Sequence, residues 1–201
     1  ECFPVCAANF LSFYLINEPK YAIDAAMDET AQACYNFIAM PVFVIQLLNM
    51  FLYQPMLIRM TASWENGRRK EFLGYFGRIC GALALISAPI LLAAWILGIP
   101  VLSWLYATDL SALRTELLLI MTGGIFLAFN GFYCAVLTIM RKQRVIPLTY
   151  LAGAVLSLVS TPVMVRESGI VGAVLSFVLV MAAVTMLLTA QFAFALRNKD
   201  A

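Results

Sequence analysis

The chain has 201 residues, 63% of them hydrophobic and only 12% charged, with a formal net charge of +2 and a mean hydropathy of +0.91. A soluble fold must clothe its exterior in polar groups, so this composition excludes an ordinary soluble domain and makes lipid the main solvent. The small net charge gives no reason to expect a nucleic-acid partner.

Charge-free runs cover residues 2–17, 30–58, 79–108, 117–140, 145–165 and 168–196. The last five each reach the roughly 20 residues a helix needs to cross about 30 Å of hydrocarbon. The first, at about 16 residues and some 24 Å, falls short. It can gain length from sequence upstream of Glu1, since the chain starts without an initiator Met and is expected to be cut from something longer. It can also gain length by continuing as helix through "NEPKYAID". The expected architecture is an all-α membrane protein whose six transmembrane helices, near 2–26, 32–58, 74–98, 114–140, 145–165 and 169–196, form one bundle.

The first span ends in a charged stretch, Glu18, Lys20, Asp24, Asp28 and Glu29. If helix continues past Pro19, Lys20 and Asp24 stand at i, i+4 on one face, and the carbonyl that Pro19 frees needs protein or cavity water to satisfy it. The alternative is a solvated external loop, and local physics leaves both open. Around this span lie Asn9, Ser12, Tyr14, Asn17 and Tyr21. The second carries Gln32, Tyr35, Asn36, Gln46, Asn49, Tyr53 and Gln54, with Pro41 and Pro55 to bend it. Polar groups in lipid must find partners or line a cavity, so these two spans hold the best candidates for function.

The connection "RMTASWENGRRKEFLGYFGR" has a turn signal at Asn66 and Gly67, then basic residues followed by Phe72, Leu73, Tyr75 and Phe76. It suits either a short helix in the membrane interface or simply the near end of the third span. After that span, "IPVLSWLYATD" is expected to break at Pro100 and to set Trp104 and Tyr106 in an external aromatic belt. Gly77 and Gly81, and Gly123, Gly124 and Gly131 in the fourth span, read as sites of close helix packing. The fifth span offers only Ser, Thr and Tyr as polar groups. Cys2, Cys6, Cys34, Cys80 and Cys134, with no C-x-x-C, read as buried packing thiols. No signal peptide is expected, because Glu1 stands where a basic segment would be.

Lys and Arg near short loops stay on the cytoplasmic side. With six spans, Arg59, Arg68, Arg69, Lys70, Arg78, Arg141, Lys142, Arg144, Arg197 and Lys199 fall at one end and Lys20, Arg114 and Arg166 at the other, so both termini are expected in the cytoplasm. The chain has no His, which removes Ser-His triads and H-E-x-x-H zinc sites, and "TGGIF" lacks the G-K-[ST] of a phosphate loop. Neither an enzyme nor a metal or cofactor is expected.

The order "PKYAID", a short acidic turn, "ACYNFIAMPVFVIQLLNMFLYQPMLIRMTASWENGRRKEFLGYFGR", "GIPVLSWLYATDL" and "AVLTIMRKQR" resembles the carboxy-terminal half of Wzx-type oligosaccharide flippases, polysaccharide biosynthesis proteins of the multidrug/oligosaccharidyl-lipid/polysaccharide exporter (MOP) superfamily. The resemblance implies one six-helix lobe of a MOP/MATE-like transporter in the cytoplasmic membrane, with the N-terminal lobe missing from this chain. It implies alternating access that turns an undecaprenyl-pyrophosphate-linked oligosaccharide to the outer leaflet. Partners so implied are that lipid-linked oligosaccharide, membrane lipids, the other lobe, and polysaccharide polymerase and glycosyltransferases. Pro19, Lys20, Tyr21 and Ile23 match the family's Pro-Arg/Lys-Tyr-x-Ile pattern near the outer end of the lobe's first helix, so the charged stretch should be helix first and loop only from about Asp28. The expected cavity residues are Asn17, Lys20, Tyr21, Asp24, Gln46 and Asn49, with Glu18 or Asp24 as a coupling carboxylate and Arg59 and Arg78 at the cytoplasmic mouth. Two other readings stand beside it: a cation-coupled multidrug exporter of the same superfamily, and a non-transporting six-helix scaffold.

Overall fold

The structure, a computed structural model, describes residues 3–197, and every regular element among them is helical. Cys2 and Lys199 lie outside the described residues. Helix α1 (Phe3–Ala26) runs through Pro19 without ending, so "NEPKYAID" is helix. The connection is confined to Met27 and Asp28, whose carboxylate caps α2 (Glu29–Glu65) by accepting the Ala31 N–H at 3.1 Å.

Helix α2 extends about two turns past the residue 58 expected from charge alone. Asn66 closes it, Gly67 takes the left-handed φ of +71° that such a turn favours, and α3 (Arg69–Ala93) begins at once. There is no separate interfacial helix. The aromatics following the turn belong to α3: Trp64 packs on Phe72 with centroids 4.9 Å apart, and Phe76 stacks on Phe192 at 4.3 Å. Nor does the rod break at Pro100. A π turn at Ala94–Gly98 joins α3 to α4 (Ile99–Tyr106) and places Pro100 in the first turn of α4, where a missing N–H costs least.

A 3₁₀ turn, Ser111–Leu113, leads into α5 (Arg114–Ile139), and another, Gln143–Val145, into α6 (Ile146–Arg197). Within α6, Gly169 has φ 60° and ψ −131°, which is not helical. The Thr161 and Ser176 hydroxyls are 2.6 Å apart, whereas 15 residues of straight helix would separate them by about 22 Å. Helix α6 is therefore a hairpin of two antiparallel arms, 146–168 and 170–197. Gly172 allows it, since a Cβ there would fall on the Met164 carbonyl oxygen.

Four stretches, Glu29–Glu65, Arg69–Tyr106, Ser111–Ile139 and Gln143–Arg197, are long and apolar enough to cross a membrane, which makes this an all-α, multi-pass membrane protein. That is four where the sequence suggested six. Helix α1 drops from the count with Glu18, Lys20 and Asp24 inside it, and the two arms of α6 enter it as one stretch.

Helix α1 lies along α6, α2 along α5, and α5 against α6, while α1 and α2 touch only sparsely. Small residues carry the close contacts: a Cβ on Gly124 would meet Val42, one on Gly123 would meet Phe177, and one on Gly153 would meet Val184 and Leu15. Gly77 and Gly81 differ from expectation, because nothing lies within 4 Å of a Cβ built on either. They sit on the uncovered side of α3, and farther along the rod Leu85, Trp95 and Trp104 are exposed as well. The thiols also differ: Cys6 is exposed and Cys34, Cys80 and Cys134 are half-buried. A side chain facing lipid gains little from burial in protein, so apolar character alone does not locate it inside.

The α1 start, the α2–α3 and α5–α6 turns and the end of α6 share one end of the bundle, as the contacts of Pro4 with the 141–145 turn and of Phe76 with Phe132 and Phe192 require. At the other end Met27 approaches Gly169, and Tyr106 stacks on Phe37 at 4.0 Å.

A candidate functional site in the cleft between α1 and α2

Because α1 leans on α6 and α2 on α5, a cleft remains between them, floored by α5 and the start of α6. Its middle is a cavity of about 230 Å³ lined by Asn9 and Ser12 of α1, Gln46 and Tyr53 of α2, and Cys134 and Tyr150 on the floor. Spacings of three and four residues put Val5, Asn9, Ser12, Ile16 and Lys20 on one stripe of α1, and Phe43, Gln46 and Tyr53 on the facing stripe of α2. From Pro4 to Lys20 that stripe is about 24 Å long, most of a hydrocarbon core. Gly131 faces Tyr53, whose hydroxyl would lie in ordinary contact, 3.5 Å, from a Cβ there. The Cys134 thiol and Tyr150 hydroxyl are 3.5 Å apart on the floor.

The cleft changes character along its length. Toward the 141–145 turn it widens into a space of about 740 Å³ lined by Arg141, Lys142, Gln143 and Arg144, with Thr138 shared between the two cavities. Toward Lys20 it narrows to an apolar slot of Ile16, Tyr35, Val42, Phe43, Ile120 and Phe177. The Lys20 ammonium sits 5.6 Å from the Phe43 ring centroid, within reach of the ring's negative face. No ion pair joins it to Asp24, which is exposed.

On the far side of α1 lies a second polar feature. Glu18 is 4% exposed and accepts a hydrogen bond from the Ser157 hydroxyl at 2.7 Å. Ser157 contacts Thr161 at 3.3 Å, and Ser176 contacts both Thr161, at 2.6 Å, and Ser160, at 3.3 Å. One carboxyl is thus tied to both arms of the α6 hairpin through hydroxyls, without an ion pair. A bare buried carboxylate costs several kcal/mol, so this group is held by donors, and a proton or a cation reaching it would change its charge.

The expected site residues divide accordingly. Lys20 and Gln46 line the cleft, Glu18 lies in the hydroxyl network, and Asn49 is buried on the α2 face, with Val42 and Ile45, that meets α5. The Asn17 amide donates to its own helix at the Phe13 carbonyl, 2.9 Å away, and Tyr21 is exposed. Arg59 is exposed, and Arg78 lines a separate hollow with Lys70 and Tyr75. The partners of Glu18 were missed because the fifth span looked merely hydroxylic. The signal was there in Ser157 and Thr161, a polar i, i+4 pair in a lipid span. No group of His, Cys, Asp or Glu able to hold a metal converges among the described residues.

The chain matches no family model, no curated protein and no solved structure.

Proposed function

We propose that this chain is one six-helix lobe of a transporter, a flippase that moves a lipid-linked oligosaccharide, with an undecaprenyl-pyrophosphate anchor, from the cytoplasmic to the outer leaflet. In this reading the six rods (α1, α2, α3 with α4, α5, and the two arms of α6) are six crossings, and the basic end with both termini is cytoplasmic. The observation that carries it is the α1–α2 cleft: polar in its middle, open at one end among cations and narrowed at the other to an apolar slot beside Lys20. Sugar hydroxyls can exchange water for Asn9, Ser12, Gln46 and Tyr53 while the lipid tail stays in the bilayer, which lowers the barrier to crossing. A second lobe covers the cleft and completes the cavity. The chain works by binding and rocking rather than by bond chemistry, so no enzyme activity is proposed.

The test is polymer export in cells that depend on the intact protein. Lys20→Ala abolishes export at unchanged protein level, and unchanged export would remove Lys20 from the mechanism. The buried Glu18 network favours a second reading, a cation-coupled multidrug exporter, since such a carboxyl suits coupling to a proton or sodium gradient. Drug efflux without polymer export would select that reading. Neither activity would leave the scaffold.

A further inference from the structure

The α5–α6 turn does more than its charge alone requires. Arg141, Lys142 and Arg144 fall within four residues, all exposed, and among the described residues none is in an ion pair and no carboxylate lines the space of about 740 Å³ around them. Arg68 at the same end is instead paired with Glu71 at 3.0 Å. The turn is held by the Arg141 N–H on the Thr138 carbonyl and the Lys142 N–H on the Leu137 carbonyl, both 2.9 Å. That hydrogen-bonding pattern puts Arg141 at φ +58°, where glycine is the unstrained choice. Side chains held in such a region cluster at ligand-binding segments. Gln143 adds a buried amide oxygen without a hydrogen-bond partner, on a side chain that also lines the space and whose amide, turned over, offers N–H donors to it. Topology needs only the charges; it needs neither the concavity nor a strained arginine.

We infer that this turn is a binding site for a phosphate-bearing headgroup at the membrane surface, held by Arg141, Lys142 and Arg144 at the mouth of the α1–α2 cleft. Guanidinium and ammonium groups bind phosphate oxygens by charge-assisted hydrogen bonds, and three of them suit a diphosphate better than a monoester. Thr138 lines both this space and the polar middle of the cleft, so a sugar attached to the phosphate would reach Tyr53, Gln46 and Ser12 without crossing lipid. The inference deepens the flippase reading by naming where cargo loads, and it rests on that reading only for the cargo's identity.

The test is native mass spectrometry of the full chain in detergent, titrated separately with a polyprenyl diphosphate, phosphatidylglycerol, phosphatidylcholine and inorganic pyrophosphate. The expected result is retention of phosphate-bearing anions over phosphatidylcholine. Affinity falls about 30-fold in Lys142→Gln/Arg144→Gln and is unchanged in Lys70→Gln/Arg78→Gln, basic residues at the same end but off this space. Preference for polyprenyl diphosphate marks cargo loading, preference for phosphatidylglycerol marks a structural lipid, and equal binding of pyrophosphate marks a headgroup site indifferent to the tail. Arg141→Gly should lose affinity while gaining thermal stability, a pairing that a purely structural arginine would not give. Equal loss in both double variants, or none in the first, overturns the site. If binding follows these variants yet no polymer is exported by the intact protein, the site stands and the flippase reading falls.

Discussion

Glu18 shows how much depends on a single side chain. Its carboxyl accepts from Ser157 in a place where water is scarce, and removing it leaves that hydroxyl only the longer contact with Thr161, a loss of about 1 kcal/mol. Glu18→Leu should therefore lower stability by that amount, while Glu18→Gln, which keeps an acceptor of the same shape, should cost less than about 1 kcal/mol. Thermal unfolding followed by a thiol-reactive dye at the half-buried Cys80 and Cys134 measures both. If Glu18 couples transport to a gradient, Glu18→Gln is the variant that stays folded and no longer responds to that gradient. At the opposite extreme of exposure, the Asp109 carboxylate accepts the Ser111 N–H at 3.0 Å, which holds it below the usual carboxylate range. Its folded value is depressed, so its support of the α4–α5 connection is present at neutral pH and is lost as pH falls through that value. The protection factor of the Ser111 amide, its exchange rate corrected for the intrinsic pH dependence, should fall on acidification, and in Asp109→Ala it should be low at every pH.

At the scale of elements, the α6 hairpin is the sharpest piece of construction. Gly169 occupies a region of φ and ψ open to glycine, and Gly172 touches the Met164 backbone, which cannot retreat as a side chain could. Gly172→Ala should cost about 1–3 kcal/mol by forcing the arms apart. It should also loosen the contacts of Ser176 with Thr161 and Ser160, so its damage should exceed that of Gly77→Ala, where open space awaits the methyl. Unfolding temperatures of the two variants compare them directly. Much of this was legible in advance, because charges at Arg166 and Glu167 divide two apolar runs and the hairpin turns beside them. Pro100 misled because a proline's effect depends on its place within a helix, and the π turn before it leaves no trace in composition. The hydroxyls around Glu18 were legible only as the Ser157 and Thr161 pair: lone Ser and Thr are common in lipid spans, and tertiary contact is what turns four of them into one network.

For the whole molecule, the two walls of the cleft have different supports, α1 on α6 and α2 on α5. Its width is then set by how those pairs sit against each other, through Asn130, which accepts from Thr185 at 2.8 Å, and through Phe177 against Gly123. A cysteine pair at Ser12 and Gln46, joined by a short reversible cross-linker, should stop transport by the intact protein, and reduction should restore it. Continued transport while linked would mean that the cleft does not change width.

The bond between Glu18 and Ser157 spans 139 positions of sequence. At about 5–20 residues per second a ribosome needs roughly 7–28 s to supply the second partner after the first. Throughout that interval α1 carries an acid whose hydroxyl partner has not yet been made. The seat of that acid is finished only when the α6 hairpin arrives and brings its hydroxyls together.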